Sequence, residues 1–136
     1  MAQTKTANMS TFYANVQQNG YLRTTEQAQR LTRAVLWSLA LNLGRGTKKS
    51  LAKALPDELA EYLTRPFWLV HFRDKTKSRD EFFKEVAKRS GNTDAQFAQH
   101  PTKAVFAEIK TLVDQDVVDD VADSLAPDIR EFWEQA

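Results

Sequence analysis

Leu31-Thr32-Arg33-Ala34-Val35-Leu36-Trp37-Ser38-Leu39-Ala40-Leu41-Asn42-Leu43 decides the fold. Its apolar residues fall on nearly every side of a helical turn, where a half-buried strand would alternate. A helix that is hydrophobic all round is buried on all sides, so this stretch is expected to be a central helix. Thr24, with Gln27 three residues on, carries the capping-box pattern that would start it. Gly44-Arg45-Gly46 would end it.

The stretch has a counterpart. Residues 12–63 lie over residues 82–133 without a gap at an offset of 70. Phe12 meets Phe82, Val16 meets Val86, Thr32 meets Thr102, Ala34-Val35 meet Ala104-Val105, and Leu55 meets Leu125. The alignment holds 10 identities in 52 pairs, against about three expected from ordinary residue usage. A repeat of this period implies one helical unit used twice.

Each copy is expected to hold about four helices. In the first, Ser10 opens a helix presenting Phe12, Tyr13 and Val16, and Gly20 ends it. After the central helix comes a short amphipathic one, with Leu51, Ala52 and Leu55 inward and Lys48, Lys49 and Lys53 outward. Pro56 suits the first turn of a fourth helix, where its missing N–H costs nothing. In the second copy Ser78 with Glu81 is another capping box, and Thr93 with Gln96 a further one. Pro101 stands where the first copy has Leu31. It is expected to kink the second central helix, or to split it into a short helix over 94–99 and a new one. Val117, Val118, Val121, Ala122 and Leu125 then form the inner face of an acidic helix, and Pro127 starts the last. The fold class is all-α: two pseudo-symmetric helical bundles joined by an aromatic connector. Residues 1–8 form a flexible arm. Residues 9–136 form a single domain, with repeat one at 9–64, the connector at 65–77 and repeat two at 78–135.

Several short motifs recur in a fixed order: Arg33-Ala34-Val35-Leu36, Leu55-Pro56-Asp57-Glu58-Leu59, an aromatic segment from Tyr62 to Phe72, Glu81-Phe82 with Val86, Lys103-Ala104-Val105-Phe106, and Pro127-Asp128-Ile129-Arg130-Glu131-Phe132-Trp133. In that order and spacing, over residues 9–135, the chain resembles a bacterial family of two-repeat helical proteins known only as a domain of unknown function. The resemblance implies an all-helical fold and no agreed activity. Pro101, and Ala126 between Leu125 and Pro127, depart from the family pattern.

At 136 residues, 42% of them hydrophobic and 27% charged, the composition is that of one ordinary globular domain. The N-terminus lacks the apolar stretch of a secretory signal, and there is no cysteine. Both fit a cytoplasmic protein. The net charge of +1 hides an asymmetry: residues 1–75 carry +6 and residues 76–136 carry −5. Such a balance does not suggest a general nucleic-acid binder.

No pattern points to catalysis, a cofactor or a metal. An imidazole is the commonest general base, but neither His71 nor His100 has a visible nucleophile partner. The aspartates after residue 113 lack the glycine and terminal glutamate of an EF-hand loop. Gly44 to Ser50 has the wrong spacing for a P-loop. A nucleic-acid site on the basic helix would need an exposed aromatic beside it, and the nearest, Trp37, is expected to be buried.

The charge inversion is the leading functional feature. A basic face (Arg45, Lys48, Lys49, Lys53) and an acidic face (Asp114, Asp116, Asp119, Asp120, Asp123) occupy matched places in the two copies. Complementary faces steer association. Exposed ion pairs add little affinity, so docking needs an apolar anchor, for which Phe67, Trp68 and Phe72 are the candidates. The expectation is a non-enzymatic interaction module, an adaptor or accessory subunit, bound to another protein or to itself. The alternatives are a nucleic-acid-associated protein using the basic 45–53 helix, and a small-ligand binder or enzyme at the repeat junction with His71 at its edge.

Overall fold

The computed structural model describes residues 2–64, 76–91 and 94–136, and among them are eight helices; the Leu31–Leu43 stretch lies in the second of these up to Asn42, with Leu43 at its C-cap. The helices are α1 (Ala2–Asn19), α2 (Thr25–Asn42), α3 (Arg45–Ala54), α4 (Asp57–Thr64), α5 (Arg79–Arg89), α6 (Ala95–Leu112), α7 (Gln115–Ser124) and α8 (Pro127–Gln135). The protein is all-helical, with no strand among the described residues. The aromatic connector lies almost wholly outside them.

Local signals place the starts of α2, α5, α6 and α8. Thr24 accepts a hydrogen bond from the Gln27 backbone N–H at 3.0 Å, starting α2. The Gln27 side chain reaches back one residue further than a capping box requires and accepts from the Arg23 N–H. Ser78 and Glu81 make the full reciprocal box at α5. Pro127 sits in the first turn of α8, where it loses no bond. At α6 the cap is Asp94, whose carboxylate accepts from the Gln96 N–H at 2.9 Å; Thr93 lies outside the described residues. The first helix begins at Ala2, well before the start expected at Ser10.

α2 packs against α1, α4, α5 and α6. Its buried residues include Leu31, Ala34, Val35, Leu36, Leu39 and Ala40, and complete burial of each leucine stabilises by about 1.5–3 kcal/mol. α6 likewise packs against α1, α2, α5 and α8. Buried side chains from both halves of the chain join one hydrophobic cluster. In the second half that cluster is aromatic: Phe106 meets Trp133 at 5.0 Å between ring centres, and Phe83 meets Phe132 at the same distance.

Pro101 does not split α6, which continues through it for 18 residues. The proline is buried, and α1 ends directly against it. A Cβ on Gly20 would fall 3.1 Å from the Pro101 Cα and 2.7 Å from the Val16 carbonyl oxygen. A mid-helix proline costs about 3 kcal/mol. Here α6 is held by four neighbouring helices, which keep the helix whole across the lost bond.

Two helix pairs share both bounds at one offset, whereas α1 and α5 differ in length. α6 is displaced from α2 by 70 residues at both ends, and so is α7 from α3. α1 contacts α6 while α5 contacts α2, and α3 contacts α7.

Candidate functional site

The basic helix and the acidic helix pack against each other. α3 lies along α7, and the Gly44 N–H at the start of α3 donates to the Ser124 hydroxyl at the end of α7, at 2.8 Å. Leu51 on α3 and Val121 on α7 are buried, so the apolar sides of the two helices face inward. This arrangement puts the positive end of one helix dipole beside the negative end of the other.

Arg45, Lys49 and Lys53 are exposed on α3. Lys48 is not: it is 9% exposed, against the outward position expected from the sequence. Burial, and secondarily the Arg45 charge, holds its ammonium below the ordinary lysine range. Its position one turn from Leu51 and Ala52 puts it at the edge of the packed face, where its long stem follows the apolar surface. The basic face is therefore Arg45, Lys49 and Lys53.

On α7, Asp114 occupies the N-cap position without a side-chain capping bond. Asp116 stands in the first turn, where the helix dipole favours a carboxylate. Asp119 accepts from the Gln115 amide at 2.9 Å, and Asp123 pairs with Arg130 of α8 at 3.5 Å. All five aspartates are exposed. Among the described residues no ion pair links them to Arg45, Lys49 or Lys53. Nor does any group of three or more His, Cys, Asp or Glu among those residues come together as a metal site. The suggested anchors Phe67, Trp68 and Phe72, and His71, lie outside the described residues.

His100 is exposed on α6, with its ring edge-on to Tyr21 at 5.0 Å. Tyr21 is 75% exposed and takes a left-handed backbone conformation, φ 57°. His100 also borders an open cleft of about 810 Å³ between α5 and α6, beside Phe83, Lys84 and Phe97.

Two clusters had no signal in the sequence. In the first, the buried Tyr13 hydroxyl of α1 donates to the Glu58 carboxylate of α4 and lies 3.4 Å from the Tyr62 hydroxyl. Burial first, then these two partners, push the Tyr13 phenol far above its usual pKa and keep it a donor. The residues are 45 and 49 positions apart in the chain, a separation that no helical or strand period connects.

The second cluster lies where α2 meets α5. Trp37 is half-buried rather than buried, and the Arg89 guanidinium sits over its ring, 5.3 Å from the centre. Arg33, Ala34, Trp37 and Arg89 line a cleft of about 250 Å³. A second cleft of about 180 Å³ adjoins the same face of α2, lined by Gln27, Arg30, Leu31, Ser90, Gly91 and Phe97. Arg33 and Trp37 read as part of the apolar run around them, and no local period places Arg89, 52 positions beyond Trp37, against that face.

Among the described residues no helix is long and apolar enough to cross a membrane. No curated protein matches the chain. The model of one family matches residues 9–132, nearly all of the sequence. The chain thus belongs to the family described as "Uncharacterized conserved protein (DUF2267)".

Proposed function

We propose that this protein is a non-catalytic interaction module, an adaptor or accessory subunit, which docks a partner protein on the ridge formed by α3 and α7. The observation that carries this is the packing of α3 on α7 with both sets of charges left exposed. Arg45, Lys49 and Lys53 make a positive strip, and Asp116, Asp119 and Asp120 a negative strip beside it. A partner with the reverse arrangement gains orientation and a faster encounter from both strips at once. Such a surface also rejects a partner of uniform charge. For the same reason nucleic acid on α3 is disfavoured, because the aspartates of α7 repel phosphates brought to the adjoining helix.

We also propose that the two halves arose by duplication of one helical unit. The 70-residue displacement of α2 to α6 and of α3 to α7 supports this, as do the reciprocal contacts of α1 with α6 and α5 with α2.

The test is affinity capture from native cells at low salt, using the wild type, a Lys49→Glu/Lys53→Glu variant and an Asp119→Lys/Asp120→Lys variant. The expected result is one stoichiometric protein partner retained by the wild type and lost from each variant, with unchanged helix content. Retention by both variants, or no partner on the wild type, would overturn the proposal.

A further inference from the structure

We infer that the edge where α2 meets α5 is a binding surface for single-stranded nucleic acid, separate from the α3–α7 ridge. Gln27, Arg30, Arg33 and Trp37 follow one face of α2 over about 15 Å at 1.5 Å per residue. The last turn of α5 brings Arg89 alongside them. Arg30, Arg33 and Arg89 are all exposed, and no ion pair among the described residues uses any of the three. Neither cleft has an acidic lining residue. Of the carboxylates nearby in sequence, Glu85 of α5 is held by Lys77 at 2.8 Å, and Glu26 of α2 lines neither cleft.

Arginine suits this task because its planar fork presents parallel N–H donors to phosphate oxygens. Contact with the Trp37 ring holds the Arg89 fork in place before any ligand arrives, which lowers the entropy lost on binding. Arg33 lines the same cleft, so two guanidiniums flank one recess suited to a phosphate. Arg30 flanks the next recess along α2, and there the half-buried Phe97 ring supplies an apolar wall for a base. Phosphate-binding cations interleaved with aromatic rings are what a flexible single strand requires. An acidic peptide would use the arginines and leave the rings idle. A duplex keeps its bases stacked inside and out of reach of Phe97.

The test is fluorescence anisotropy of a labelled oligo-dT or oligo-U 12-mer, titrated with the full chain across a low-salt series. The wild type is expected to bind, with affinity falling steeply as salt rises. Arg30→Ala, Arg33→Ala and Arg89→Ala should each weaken binding about five- to ten-fold. Each should also flatten the slope of log K against log salt by about 0.7, the loss of one phosphate contact to a single strand. Arg89→Lys, which keeps the charge but not the fork, should recover only part of the affinity. Lys49→Ala/Lys53→Ala should bind as wild type, which separates this surface from the α3–α7 ridge. Absence of binding at low salt would overturn the inference. So would sensitivity to the lysine pair instead of the arginines, or equal affinity for a poly-glutamate of the same length.

Discussion

Gly91 and Tyr21 occupy the turns after α5 and α1, and both take left-handed backbone conformations, with φ 88° and 57°. Among the described residues, a Cβ on Gly91 would touch nothing within 4 Å. Gly91→Ala therefore isolates the backbone cost of a side chain in that region, and should destabilise by about 1–2 kcal/mol in a urea melt. Lys48 is the residue whose placement departs most from its sequence pattern, since helical spacing alone put it with Lys49 on the outside. Its removal from water gives a second test. Lys48→Met keeps the stem against the core and removes the buried charge, so stability at neutral pH should stay level or rise by up to about 1 kcal/mol. The sign of the pH dependence follows from the lowered pKa. The unfolded chain holds its proton up to about pH 10.4, whereas the folded chain releases it earlier. Wild-type stability thus gains from this group as pH rises through that alkaline window, and the Met variant should lack the gain.

Element ends and element contacts differed in how far they were legible. Ser78 with Glu81, Thr24 with Gln27 and Pro127 each act within one helical turn, so the sequence pattern was sufficient to start α5, α2 and α8. Pro101 misled because its local cost is real, and only the packing of α6 against four other helices outweighs it. The contact of α5 with α8 had no local signal. The Asp128 carboxylate accepts from the Arg79 backbone N–H at 2.7 Å and from its Nε at 3.0 Å. The backbone bond first, then the Arg79 side chain, hold Asp128 below the usual carboxylate range. A depressed carboxylate contributes its stability above its unfolded pKa, about 3.9, and loses it as pH falls through the lower folded value. Asp128→Asn should be less stable than wild type at pH 6. The difference should shrink as pH drops below about 4, as followed by urea melts at each pH.

At the scale of the whole molecule, the all-helical architecture was legible because Leu31–Leu43 is apolar on nearly every side, with Arg33 the exposed exception. The charge inversion was legible too, since Lys49 and Lys53 stand 70 residues before Asp119 and Asp123. The sequence did not say that the two charged helices are neighbours. Two faces pointing away from each other would have suggested a chain of copies meeting head to tail. Side by side, they have a different consequence for how many molecules can gather. A second copy, turned about a two-fold axis over the ridge, would lay each positive strip on the other's negative strip. Both ridges would then be covered, with none left to recruit a third copy. A two-fold contact of that kind would close on itself, so this surface would build a pair rather than a filament.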